Sequence, residues 1–572
     1  MITLRRLYFR TPIMKTLLQS VSSAPLTICP GLVGYAARKL PISDAAPRFH
    51  LGTTALSIIL VMVGQLAFST EVQGGTLWGN LKPGLYSVGY RAVFTYDLTR
   101  PFIKWDAQGR EIVPAGKGRQ MQISVWYPAH NAGRKPLMRF EEYVYLAAQE
   151  LEFSPPTLEK RRQAVDDFMK GPLSQGASAD RLWALLRMKT NAIKDAIPAK
   201  GSFPLVVYAH VPPSGNSILC EYLASHGFVV AAISWKGTFE YNLDVGLTGV
   251  ETQIKDIEFV IGVLKADKQV DSDKIAIIGM SFGAISALGL QTRNGDVDAL
   301  ISLDGGIGSV FGANVVQRTA YYSLSRITTP LIHLYGSNVT GTDLSYLYSL
   351  KYSERYLVGF TGMRHRDFTN IGMFEHFVPN ISGKPGGNTK IGFEWVSRYA
   401  LDFLRTYLGG DRESLEFLQN SPERNGAPPG LFTVERKARL NPPPSSSQLQ
   451  AMIEGKGIQS VVALYKQLKE MDAQPLPQQT LSEVGIWLGQ KGDWNAVKAI
   501  IDLRLDSYPS SAWANYAAAE AHRRLGDKER ARHLYEKTLL LLATDFDPEL
   551  DFSRRRAIYE GARRNLDLSD RK

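Results

Sequence analysis

Gly279-Met-Ser-Phe-Gly283 sets a serine between two glycines, a spacing suited to nucleophilic chemistry. A serine presented on a sharp strand-to-helix turn needs neighbours without side chains, because the backbone doubles back beside the hydroxyl. The flanking sequence agrees. Ile275-Ala-Ile-Ile-Gly279 reads as a buried strand ahead of the motif, and Ala284-Ile-Ser-Ala-Leu-Gly-Leu290 as a helix behind it. A serine with a purely structural role would need neither. Ser281 is therefore the candidate nucleophile, and it attacks only when a base takes its proton, so a histidine held by a carboxylate is required downstream.

His365, in Gly362-Met-Arg-His-Arg-Asp-Phe368, follows the last apolar strand, Tyr356-Leu-Val-Gly-Phe360, where the chain order Ser, acid, His puts the base. His376 is its nearest rival. His333 lies inside an apolar run and reads as a core histidine, while His210 and His226 precede the nucleophile and fit the order poorly. The customary acid position follows the strand Pro330-Leu-Ile-His-Leu-Tyr335, but Gly336-Ser-Asn-Val339 has no carboxylate there. Asp304 ends the preceding strand, and Gly305-Gly306 let the chain turn after it, which makes Asp304 the candidate acid and Asp343 the reserve. The plainer reading of Asp304 is a turn cap.

Positioning these residues takes a sheet. Phe203-Pro-Leu-Val-Val-Tyr-Ala-His210 and Gly227-Phe-Val-Val-Ala-Ala-Ile-Ser234 are continuous apolar runs of strand length, separated by a helix-like segment. A helix around Val250 to Leu264, the strand before Ser281, and strands at Ala299–Leu303, Pro330–Tyr335 and Tyr356–Phe360 continue the alternation. Strands alternating with helices predict an α/β fold with a mostly parallel sheet and right-handed crossovers. Gly84–Arg91 and Met121–Pro128 alternate in strand fashion and read as antiparallel edge strands. Residues 138–200 carry helical periodicity and read as an insertion shaping the pocket. The sheet domain is assigned to 84–420, and 421–450 to a linker around Asn441-Pro-Pro-Pro-Ser-Ser-Ser447.

Leu223-Ala-Ser-His-Gly-Phe-Val-Val-Ala-Ala232, Gly279 to Gly283, Leu303-Asp304, and His365 followed by Phe368 carry a family resemblance. The stretch from His210 to His365 resembles the platelet-activating-factor acetylhydrolase and dienelactone hydrolase branch of the α/β-hydrolases. In the acetylhydrolases the acid also sits one strand early, so the resemblance favours Asp304. It further implies an oxyanion hole of two backbone N–H groups, one from Phe282 after the nucleophile and one from the loop after the His210 strand. That loop reads His210-Val-Pro-Pro-Ser-Gly215 in place of a His-Gly start, and since Pro212 and Pro213 have no N–H, Val211 is the second donor.

Beyond the linker, Gly492-Asp-Trp494 and Gly526-Asp-Lys528 stand 34 residues apart. Gly485, Ala519 and Ala531 fill small positions and Pro509 marks a repeat end, so 451–560 resembles a tetratricopeptide pair with a degenerate copy from near Met452. Such repeats imply a protein partner.

The chain has 572 residues, 44% of them hydrophobic and 21% charged, enough for two to four folded domains. Its formal charge of +11 is spread among acidic residues without a basic run interleaved with aromatics, so no nucleic-acid partner is expected. Cys29 and Cys220 alone can build neither a disulfide framework nor a zinc site, and no metal or organic cofactor is implied. Residues 1–69 read as a targeting extension. Its apolar part, Ala55 to Phe68, is short for a membrane span, and Ala67 and Ser69 have signal-peptidase spacing. Export to the periplasm or medium is expected, with membrane association through residues 51–70 as the alternative. The expectation for the whole is a serine hydrolase acting on a small-molecule or lipid ester through Ser281, Asp304 and His365. The competing reading is a degenerate hydrolase scaffold whose repeats bind a partner.

Overall fold

The computed structural model describes residues 77–100, 118–130, 135–150, 153–238, 244–319, 321–384, 386–470, 474–545, 550 and 552–569. The signal-like segment and Cys29 lie outside them. Among the described residues no helix is long and apolar enough to cross a membrane.

Ten strands form one sheet: β1 (Ser87–Asp97), β2 (Arg119–Ala129), β3 (Ala192–Lys194), β4 (Phe203–Ala209), β5 (Val229–Ile233), β6 (Val270–Met280), β7 (Ala299–Leu303), β8 (Leu331–Gly336), β9 (Arg355–Phe360) and β10 (Phe432–Lys437). Their order is β10-β9-β8-β7-β6-β4-β5-β2-β1-β3. The central run from β9 to β5 is parallel, while β1 with β2, β2 with β5, and β9 with β10 are antiparallel.

The continuous apolar runs are explained by burial on both faces. In β4, Leu205, Val207 and Ala209 enter one core and Val206 and Tyr208 the other; in β6, Ile275 and Ile277 oppose Ala276 and Ile278. Four central-strand side chains, Leu205, Val207, Ile275 and Ile277, are fully buried, each contributing about 1.5–3 kcal/mol relative to exposure.

Helices cover both faces: α1 (Phe140–Tyr145), α2 (Leu158–Ser174), α3 (Ala179–Arg187), α4 (Pro213–Ser225), α5 (Leu247–Lys265), α6 (Phe282–Gln291) and α7 (Thr389–Gly409). One core takes side chains of α5 and α6, and the other takes those of α4, α7 and the insertion. The insertion carries α1, α2 and α3 and the short strand β3, which pairs parallel with β1. It packs through Phe140 on Phe374, with ring centroids 4.8 Å apart.

The stretch 421–450, read from sequence as linker, is corrected here. β10 lies within it and closes the sheet edge against β9. Phe432 is buried against Phe360, at 5.0 Å between centroids, and burying this ring holds a short edge strand in place.

From Ser446 onward the described chain is all helical: α8 (Ser446–Lys456), α9 (Ile458–Lys469), α10 (Gln478–Gln490), α11 (Trp494–Ser507), α12 (Ala512–Arg524), α13 (Lys528–Leu541) and α14 (Phe552–Ser569). These helices have a core of their own. The 34-residue spacing is visible in the turns. Asp493 caps α11 by accepting from the Ala496 N–H at 3.0 Å, and Asp527 caps α13 by accepting from that of Arg530 at 3.1 Å. Each Asp follows a left-handed glycine, Gly492 or Gly526.

One buried acid ties the insertion to the sheet domain. Glu221 on α4 is 1% exposed. Its carboxylate accepts from Trp78 Nε1 at 3.0 Å, the Asn191 N–H at 2.9 Å and Tyr143 Oη at 2.8 Å. Three donors offset part of the desolvation, yet burial still pushes the carboxyl from its ordinary 4.5 up to about 7. The folded chain therefore binds the proton more tightly than the unfolded one, so this group lowers stability progressively as pH rises from 4.5 to about 7. The melting temperature of Glu221→Gln minus that of the wild type should increase across that interval and level off above it. Thermal unfolding from pH 4.5 to 8.5 reads this directly, and a pH-independent difference would sever Glu221 from it.

Candidate active site

β6 delivers Ser281 to the sheet's carboxyl edge. The serine has φ 54° and ψ −121°, a strained backbone for a residue with a side chain, and α6 starts at the next residue. The two flanking glycines are required by space. A Cβ on Gly279 would lie 2.5 Å from Ala284 Cα, and one on Gly283 would lie 2.7 Å from the Ala209 carbonyl oxygen. The turn is bonded to its neighbour: the Ser281 N–H donates to Leu303 O at 3.2 Å, and the Ser281 carbonyl accepts from the Gly306 N–H at 2.8 Å.

Asp304 follows β7 with φ 39°. Its N–H donates to Leu334 O at 2.7 Å, and its Oδ1 accepts from the Gly336 N–H at 2.9 Å, so the end of β8 holds both its backbone and its carboxylate. The other oxygen, Oδ2, lies 2.6 Å from His365 Nδ1. Gly305 lets α6 approach, since a Cβ there would meet Ala284 Cβ at 2.3 Å.

His365 opens a single helical turn, His365–Phe368, after β9. Phe368 is fully buried against Phe360, at 5.9 Å between centroids. Fully buried Asp367 accepts from the Arg364 N–H at 2.7 Å and Nη2 at 3.1 Å. The turn is thus anchored while the His365 side chain stays 47% exposed. Among the described residues no hydrogen bond joins Ser281 Oγ to His365; such contacts often tighten only with substrate bound.

The Phe282 N–H is the first of α6, where no intrahelical acceptor exists. The Val211 N–H likewise has no acceptor among the described residues. The positive end of α6 lies at the Phe282 N–H, where a helix N-terminus favours negative charge.

The other titratable groups have their own partners. His333 is buried, accepts or donates at 2.8 Å with Ser302 Oγ, and burial lowers it to about 4. His226 lies 2.9 Å from Arg405 Nη2 and 3.1 Å from the Lys82 carbonyl. Exposed His376 rests on Phe377. Asp343 accepts from Ser345 N–H at 2.9 Å and takes no part in the pair with His365.

His210, set aside in the sequence for its place in the chain order, is at the site. Its ring lies 5.7 Å from that of Phe282 and 4.6 Å from that of Trp235, and its position just before Val211 was the signal available.

No family model matches the chain. It is 23% identical over 215 residues to a cutinase from Thermobifida alba, covering 36% of this chain and 59% of the cutinase's length. A ferulic acid esterase from Streptomyces cinnamoneus is 19% identical, with TM-score 0.41, over 59% of this chain and 94% of that one. The sheet order, helices on both faces and a serine turn at the carboxyl edge make the fold an α/β-hydrolase fold followed by an all-helical region.

Proposed function

We propose that the chain is a serine hydrolase that cleaves carboxylic esters through an acyl-enzyme. The observation that carries this reading is the 2.6 Å Asp304–His365 pair on loops beside the strained Ser281 turn. Ser281 Oγ attacks the ester carbonyl while His365 Nε2 takes its proton. Asp304 holds Nδ1 protonated and stabilises the imidazolium that forms. The N–H groups of Phe282 and Val211 receive the oxyanion. Collapse expels the alcohol, protonated by His365; water, deprotonated by the same histidine, then releases the acid. Val211 precedes both prolines, so the Val-Pro-Pro loop keeps a second donor.

The similarity to a cutinase adds support for ester hydrolysis. The repeated caps support reading 451–560 as tetratricopeptide-like and its role as docking a protein partner. The apolar run Ala55–Phe68 supports export.

Initial rates on p-nitrophenyl esters of increasing chain length test the reaction class. Turnover above the uncatalysed rate, with an optimum at one acyl length, is the expected result. A folded chain that turns over none of them would remove ester hydrolysis from consideration.

A further inference from the structure

Three rings line up beside the nucleophile. Phe282, the residue after Ser281, is 6% exposed; His210 is 8% exposed; Trp235, just past β5, is 40% exposed. Centroid separations of 5.7 Å from Phe282 to His210, tilted 47°, and 4.6 Å from His210 to Trp235, tilted 40°, make a chain of packed rings that leads from the residue after Ser281 to the exposed indole. Gly283 is empty of a side chain partly because His210 occupies the space: a Cβ there would lie 2.7 Å from His210 Cβ.

The surface is built rather than incidental. His210 holds φ 80°, an unfavourable backbone for a histidine, of the kind that persists where the surroundings impose it. Its Nδ1 is enclosed and has no hydrogen-bond partner among the described residues. Burial keeps its ring neutral at ordinary pH, lowering it to about 4, with the nearby His365 charge acting in the same direction. A neutral ring packs among aromatics without bringing a charge beside the base. The loop carrying Trp235 is pinned from behind. Arg119, 1% exposed, donates to the carbonyls of Lys236 at 2.9 Å and Gly237 at 2.8 Å while paired with Asp256 at 2.8 Å. An exposed indole on a fixed loop offers a ring surface at low entropic cost.

We propose that Phe282, His210 and Trp235 form a ring-faced wall that selects esters bearing a flat aromatic group on either side of the ester bond, with Trp235 as its contact surface. This rests on the ester-hydrolase reading above.

The test follows acid release from two shape-matched pairs: methyl cinnamate against methyl 3-cyclohexylpropanoate, and benzyl acetate against cyclohexylmethyl acetate. The full chain is compared with Trp235→Leu and Trp235→Phe, each checked by circular dichroism. In at least one pair the aromatic-to-saturated ratio of kcat/KM should fall about tenfold in Trp235→Leu and stay within about threefold of wild type in Trp235→Phe. Ratios unchanged in both pairs for Trp235→Leu, or lost equally in Trp235→Phe, would overturn the wall. A chain that turns over p-nitrophenyl esters but neither pair would overturn the wall as well; one that turns over no ester at all defeats the hydrolase reading instead, and the wall is then read by fluorescence. Cinnamate should quench Ser281→Ala, and should not quench Ser281→Ala combined with Trp235→Phe. Absence of that difference would overturn it independently of turnover.

Discussion

Ser281→Ala is expected to lower kcat by about 10⁶-fold while leaving the chain folded, the loss typical when the nucleophile of a triad is removed. Alanine keeps the Cβ and the strained φ of 54°, so the turn and its bonds from Ser281 N–H to Leu303 O and from Gly306 N–H to Ser281 O persist. What disappears is the oxygen that would carry the acyl group. The oxyanion donors and ester binding should still leave about 10³–10⁴-fold acceleration over water. Initial rates with an ester turned over by the wild type, alongside a melting curve, check both halves. A variant retaining a tenth of the activity would mean that Ser281 is not the nucleophile.

Asp304→Asn should cost about 10⁴-fold in kcat with little change in KM. The size follows from the two partners of the carboxylate. Oδ1 accepts from the Gly336 N–H at 2.9 Å and Oδ2 faces His365 Nδ1 at 2.6 Å. An asparagine that keeps its oxygen toward Gly336 must point its NH₂ at Nδ1. That orientation forces Nδ1 to accept and puts the imidazole proton on Nε2, the atom that has to receive the Ser281 proton. The charge that would stabilise the imidazolium is lost as well. Steady-state kinetics on Asp304→Asn and Asp343→Asn separate the two candidates, since Asp343 is occupied with Ser345 and its variant should keep most of the activity.

The sheet core and the serine turn were legible because their constraints are local. β4 and β6 are buried on both faces, so their apolar runs announce themselves, and the glycines at 279 and 283 are forced by contacts within a few residues or across one strand. Asp304 was readable as a strand end followed by glycines. That it meets His365 depends on β7, β8 and β9 lying side by side, with the end of β8 bridging through the Gly336 N–H. No spacing in the sequence encodes that adjacency. β10 was missed because six residues near a proline-rich segment resemble linker, and only the Phe360 ring on the neighbouring strand gives Phe432 a reason to pair. His210 was discounted by chain order, a rule about triads that says nothing of residues lining the site. Its ring meets those of Phe282 and Trp235, which belong to two other segments that only the folded chain brings together.

The most direct test of the account is labelling of the full chain by a fluorophosphonate, since such a probe reacts with a serine only when a base activates it. Mass spectrometry of the tryptic peptide Ile275–Arg293, whose fragment ions separate Ser281 from fully buried Ser286, locates the adduct. The predicted result is an adduct on Ser281 that forms much more slowly in Asp304→Asn and is absent in Ser281→Ala. A folded wild-type chain that takes no label, or one whose label persists in Ser281→Ala, would contradict it.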